Sequence, residues 1–294
     1  MSEQPFVDQK FLEKLERLAL RWQRSFPGLV GGHNPSRYPG FGLEFLDHRH
    51  FHHGDDLRAV NWRAYLRFEK LFLKIFRLEP HTPVRLLLDA SASMATGRRP
   101  KFDYARTLAA ALCYVGLVRL ETILLLPFRA GLEGSCRCAG GRHRFAPVAE
   151  FLAQLRPEGR TDYLQTVRQF VSRYVDRGLA IVISDFLDEQ PCEKALQHLA
   201  DFGHELMLIQ VWAEEDRAPP WEGRLELIDA ESGARLELDF DREARERYTA
   251  AFDAHSRSLR RLALGNGGRY AGLSTAVGVE DAIFGPLAQV VGFE

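Results

Sequence analysis

Asp89, Ser91 and Ser93 stand at two-residue steps in the string Asp89-Ala90-Ser91-Ala92-Ser93-Met94, directly after the apolar run Val84–Leu88. A strand over that run delivers one carboxylate and two hydroxyls to its carboxyl end, where open parallel sheets bind ligands. Three hard oxygens with one negative charge suit Mg²⁺, which takes octahedral geometry and keeps several waters. Two more oxygen-bearing clusters fall at matching places in the pattern. Gly159-Arg160-Thr161-Asp162 precedes a helix starting near Leu164, and Ser184-Asp185 ends the apolar run Leu179–Ile183. The competing reading of such serines is that they cap the following helix.

Other constellations carry less. His48, His50, His52 and His53 surround Arg49 and Phe51. On a strand, His48, His50 and His52 share a face, a spacing open to Zn²⁺ or Ni²⁺, though solvated or aromatic-stacked rings are the expectation. Cys136-Arg137-Cys138 lacks further ligands and reads as part of a plain hairpin spanning Ser135–Phe145. The chain contains no GxxxxGK[ST], GxSxG or HExxH string, and Ser91 stands where an aspartyl-nucleophile phosphatase would want Asp. No catalytic residue is assigned.

The set Asp89-Ser91-Ser93, Thr161 and Asp185 resembles the metal-ion-dependent adhesion site (MIDAS) of von Willebrand factor type A domains. Upstream, Gly42, Phe45, Arg49, Phe51 and the string Gly54-Asp55-Asp56-Leu57-Arg58-Ala59-Val60-Asn61-Trp62-Arg63 resemble the signature of the bacterial domain-of-unknown-function family 58. That resemblance implies a type A-like domain following the segment. It implies Asp89, Ser91 and Ser93 as the first metal loop, Thr161 as the second and Asp185 as the third. It also implies a non-enzymatic, Mg²⁺-dependent (or Mn²⁺-dependent) interaction protein. The partner presents Glu or Asp to the ion, and a MoxR-type AAA+ ATPase is the candidate partner in maturing or assembling other proteins. The alternatives are a metal-assisted hydrolase, with Asp162 or Asp188 as base, and a scaffold without metal.

These residues need elements to position them. After Pro83, short apolar runs (Val84–Leu88, Ile123–Phe128, Leu179–Ser184, Leu206–Trp212) alternate with helical stretches (Phe102–Leu120, Val148–Leu155, Leu164–Val175, Glu193–Phe202). Such alternation predicts an α/β fold with a mostly parallel sheet covered on both faces. Leu225–Ile228 and Arg235–Phe240 predict a small hairpin around Asp229–Gly233, followed by a helix that Asp241 caps, a strand from Arg269 and a helix over Glu280–Val291. Before Pro83, Phe11, Leu15, Leu18 and Trp22 predict a helix, a Gly/Pro-rich stretch follows, and Arg63–Leu78 alternates apolar residues with charges, with Leu71, Phe72, Leu73, Ile75 and Phe76 suiting a strand or arm. The expected division is an accessory module at 1–81 and the type A-like domain at 82–294, with the hairpin near 224–240. Trp62 is expected to be buried against that domain, and Arg58 to pair with an acid.

Lys plus Arg number 39 against 40 Asp plus Glu. This near-neutral balance gives no footprint for nucleic acid. With no apolar stretch near the roughly 20 residues of a membrane span, no signal-like start and four scattered cysteines, the expected location is the reducing cytoplasm. Arg98, Arg99, Lys101 and Arg160 are expected to line the metal edge and steer an acidic partner.

Overall fold

The computed structural model describes residues 8–22, 44–52, 55, 60–77, 83–188 and 192–291. The chain divides into two compact units, Gly28–His81 and a larger one made of Met1–Pro27 with Thr82–Glu294.

In the larger unit, strands β3 (Val84–Asp89), β4 (Ile123–Phe128), β6 (Leu179–Ser184), β7 (Glu205–Trp212) and β10 (Arg269–Ser274) run parallel. β5 (Cys136–Cys138) closes one edge, antiparallel to β4. The order β10-β7-β6-β3-β4-β5 is the doubly wound 3-2-1-4-5-6 arrangement, counted along these six strands. This is the α/β fold with a mostly parallel sheet that the alternation of runs predicts. The order reverses between β3 and β6, so the crevice at their carboxyl ends receives Asp89 and Asp185.

The strands are apolar throughout because helices cover both faces. Alternate residues feed two cores. Leu86, Leu88, Ile181, Ile183, Met207 and Ile209 face helices α3 (Lys101–Val118) and α4 (Phe145–Gln154). Leu87, Ala180, Val182, Leu206 and Leu208 face α5 (Tyr163–Arg173), α6 (Cys192–Asp201) and α8 (Arg242–Gly265). The apolar character of α3 all round is explained by α1 (Gln9–Trp22), which packs on its outer side through Phe11, Leu15 and Ala19. The Tyr114 hydroxyl of α3 donates to Glu16 at 2.6 Å. The N-terminal helix, grouped by sequence with residues 1–81, thus belongs to the larger unit.

One local expectation is corrected and another holds. Only Cys136–Cys138 of the Ser135–Phe145 stretch is a strand; Arg142–Arg144 forms a 3-10 turn leading into α4 instead of a returning strand. The hairpin further on is present as β8 (Gly223–Ile228) and β9 (Arg235–Phe240), preceded by the short α7 (Glu214–Arg217).

In the smaller unit, β1 (Glu44–His50) pairs antiparallel with β2 (Phe72–Arg77). The strand expected around Leu71–Phe76 is β2, and the alternating stretch before it holds a helix that was not expected, α2 (Trp62–Phe68). Asn61 caps it by accepting the Ala64 N–H, and Glu69 ends it in the left-handed region at φ 53°. α2 buries no side chain; Trp62, expected in a core, is 55% exposed. Asp55 accepts the His52 N–H and an Arg49 N–H, each at 2.8 Å. His50 lies against Phe72 in a tilted ring pair, 4.8 Å between centroids. The proposed Arg58 pair and His53 lie outside the described residues.

Candidate metal centre

Asp89 ends β3 and is fully buried. Its Oδ1 accepts the Ser91 N–H at 2.9 Å, and its Oδ2 accepts the Ser184 hydroxyl at 2.6 Å and the Tyr163 hydroxyl at 3.4 Å. Tyr163 and Ser184 hydroxyl oxygens lie 2.6 Å apart, and the Phe186 N–H donates to the latter. All these donors are neutral. Burial, reinforced by the Asp185 carboxylate, pushes the Asp89 carboxyl up to about 7. A carboxylate so desolvated, with no cation hydrogen-bonded to it, is stabilised by a positive ion at its side.

Ser91 is buried, and its Oγ lies 3.0 Å from Ser93 Oγ where the chain enters a 3-10 turn, Ala92–Ala95. Oxygens at neighbouring corners of an Mg²⁺ octahedron, with bonds of about 2.1 Å, stand about 3.0 Å apart. The two hydroxyls therefore fit adjacent ligand positions, and the donor set fits a hard divalent ion.

The loop before α5 is stitched to this one. Ala92 N–H donates to Gly159 O at 3.0 Å, and Glu158 N–H to Ala90 O at 2.9 Å. Gly159 sits at φ +79°, which glycine adopts freely. Arg129 holds both loops, donating to Ala90 O at 3.1 Å and Arg156 O at 2.9 Å. Asp162 caps α5 by accepting the Gln165 N–H at 2.8 Å, a structural task for one of the two carboxylates considered as a base. Thr161, one residue earlier, is engaged by the hairpin. Its N–H donates to Glu231 Oε2 at 2.8 Å and its hydroxyl to Glu231 Oε1 at 3.0 Å.

Asp185 follows β6. Its Oδ1 accepts the Leu187 N–H, and its Oδ2 accepts Lys101 Nζ at 2.7 Å. Lys101 also lies 3.1 Å from Asp216 Oδ2. Burial alone would lower the Lys101 pKa, but the two carboxylates outweigh it and raise it. Lys101 is thus a buried counter-ion (2% exposed), which corrects its assignment to partner steering. Arg99 is also engaged, donating to the carbonyls of Thr275 and Ala276. Arg98 pairs with Glu215 but is mostly exposed, and Arg160 lines the cleft.

Ser93, Thr161, Arg160, Asp188, Asp229 and Glu231 share the wall of one cleft of about 180 Å³. Of the five predicted residues, Asp89, Ser91 and Ser93 form a contiguous cluster and Thr161 faces the same cleft. Asp185 shares the field of Asp89, but its carboxylate is paired with Lys101. Sequence reasoning missed Tyr163, Arg129 and Glu231. Their partners lie 74, 39 and 70 residues away, and no local pattern marks such contacts. Among the described residues no group of three or more His, Cys, Asp or Glu could hold a metal. Hydroxyl oxygens, not a carboxylate or imidazole cluster, therefore make up most of the candidate donor set.

The chain is 26% identical over 280 residues to the uncharacterized protein Rv1480 of Mycobacterium tuberculosis, an alignment covering 91% of this chain and 86% of that protein. The figures are the same for the uncharacterized protein Mb1516 of Mycobacterium bovis. Among solved structures, BatB from Bacteroides thetaiotaomicron matches with a TM-score of 0.42 at 16% identity, covering 71% of this chain and 98% of that one. Proximal thread matrix protein 1 from the mussel byssus, solved with a zinc-occupied MIDAS motif, matches with a TM-score of 0.39 at 11% identity, covering 72% and 48%. The family model described as protein of unknown function DUF58 matches residues 47–258, most of the chain from the Arg49–Asp55 pair to α8, and the chain belongs to that family.

Proposed function

We propose that this protein is a non-enzymatic, cytoplasmic interaction module whose carboxyl-edge cleft takes Mg²⁺, or Mn²⁺ in its place, and through it a Glu or Asp of a protein partner. The observation that carries the reading is the pair of Ser91 and Ser93 hydroxyls, 3.0 Å apart beside the buried, neutrally hydrogen-bonded Asp89. When bound, the cation would supply the positive charge that lets an incoming carboxylate approach Asp89. The protein's own groups do the rest. Ser184 and Tyr163 orient Asp89, the stitched loops fix Ser91 and Thr161, and Lys101 neutralises Asp185 so that repulsion with Asp89 is reduced. Cys113, Cys136, Cys138 and Cys192 are free thiols, in keeping with a reducing compartment. A MoxR-type ATPase, implied by the family resemblance, is the first partner to test.

Titration calorimetry with Mg²⁺ and Mn²⁺ tests the site. Wild type should bind, and Asp89→Ala and the double change Ser91→Ala, Ser93→Ala should not, with melting temperatures showing each variant folded. Equal affinity in Asp89→Ala would remove the reading. Co-purification with the ATPase should fail in EDTA and in the double serine variant.

A further inference from the structure

The hairpin β8–β9 brings a carboxylate of this chain into the cleft where the proposed function seats a partner's. Both carboxylate oxygens of Glu231 are used on Thr161, one on its N–H at 2.8 Å and one on its hydroxyl at 3.0 Å. Glu231 and Ser93 line the same cleft. The placement is built into the turn. Asp229 Oδ1 accepts the Glu231 N–H, the Ser232 N–H and the Ser232 hydroxyl, so the tip is folded around Asp229 and the Glu231 side chain is left for Thr161. Arg160 donates to the Glu231 carbonyl at 3.4 Å, a second tie from the same loop.

The rest of the hairpin is lightly held. Leu227, Ile228 and Leu236 are 42%, 59% and 62% exposed, and Phe240, at the base, is the only buried residue of the two strands. A ribbon fixed at its base and its tip, with few apolar contacts between, opens at low free-energy cost. Asp229, Asp188 and Asp162 line the same cleft.

From this we infer that the hairpin is an internal competitor: Glu231 occupies the acceptor place at Thr161 in cis, and an acidic partner binds only by displacing the hairpin tip. The inference rests on the cation-dependent reading above and adds a regulated, closed state to it. A tethered ligand acts at a millimolar-scale effective concentration, enough to mask a weak carboxylate contact by about tenfold.

The test uses the full chain and labelled poly-L-glutamate as acidic probe, read by fluorescence anisotropy in Mg²⁺ and in EDTA. Glu231→Ala should bind the probe about tenfold or more tightly than wild type in Mg²⁺. The gain should vanish in EDTA and when Asp89→Ala is added. Glu237→Ala, which removes the same charge from the same hairpin, should show no comparable gain. Hydrogen exchange at the Thr161 amide should speed up in Glu231→Ala with the core amides unchanged. Equal probe affinity in wild type and Glu231→Ala, or an equal gain in Glu237→Ala, overturns the internal competitor and leaves the metal reading standing. So does a Glu231→Ala protein that binds Mg²⁺ by calorimetry but not the probe, or one whose Thr161 amide exchanges as in wild type. Absence of Mg²⁺ binding in both wild type and Glu231→Ala overturns both.

Discussion

Asp89 and Lys101 show two ways of keeping a charge inside this fold. Lys101 is compensated within the protein by Asp185 and Asp216, whereas Asp89 has hydroxyl and amide donors alone. Their variants should therefore behave differently. Lys101→Met leaves two carboxylates together with no cation, and should cost about 3–5 kcal/mol in urea unfolding, as breaking a buried pair does. Asp89→Asn should do the reverse at neutral pH in EDTA. With the Asp89 carboxyl raised from 3.8 to about 7, the folded state holds a proton that the unfolded chain releases. The Asp89 contribution to stability is then fully present below the unfolded pKa and is lost as pH rises through about 7. In EDTA at pH above 7, Asp89→Asn should be the more stable protein, and the gap should close toward the unfolded value. Thermal melts across that range check it; a gap independent of pH would contradict the assigned burial. Asp89, Ser91 and Ser93 were readable from sequence because they follow one another. The pairing of Lys101 was not: a lysine opening a helix looks solvated until Asp185, just after β6, and Asp216, in α7, are brought to it from 84 and 115 residues downstream.

At the scale of elements, the parallel strands were readable because burial on both faces forces unbroken apolar runs of a strand's length, as in Ile123–Phe128. The α2 helix was not. None of its seven residues is buried, so no apolar period exists to report it, and the Asn61 cap is its clearest local signal. The 135–145 stretch misled because Gly140 and Gly141, both at positive φ, mark a turn, while the residues after them start α4 rather than a strand. The role of α1 was half visible. Its apolar face was evident, its partner was not, and the all-round apolarity of α3 was the clue. Leu15 is fully buried between the two helices. Leu15→Ala should destabilise by about 2–5 kcal/mol, in line with large-to-small changes at fully packed sites. Glu16→Gln, at the part-buried contact with Tyr114 and the exposed Arg142, should cost far less. Denaturant midpoints of the two variants make the comparison, and similar losses would show that α1 is held by polar contacts instead.

At the scale of the whole molecule, the smaller unit is an insertion between α1 and β3 of the larger one. Each unit has its own backbone pairing, and the candidate metal centre draws only on residues after Thr82. Replacing residues 28–81 with a long Gly/Ser linker should leave a folded protein with Mg²⁺ affinity within about twofold of wild type. Calorimetry and circular dichroism check this; loss of Mg²⁺ binding in a folded variant would give the smaller unit a part in the site.

The same insertion sets a timetable for biosynthesis. Helix α1 leaves the ribosome roughly 80 residues before α3, its packing partner, begins to emerge, about 4–16 s at usual elongation rates. Through that interval Phe11, Leu15 and Ala19 form an apolar stripe with nothing native to cover it. The nascent chain therefore offers a chaperone a binding site that the finished protein hides, and α1 docks only after the smaller unit has already been made.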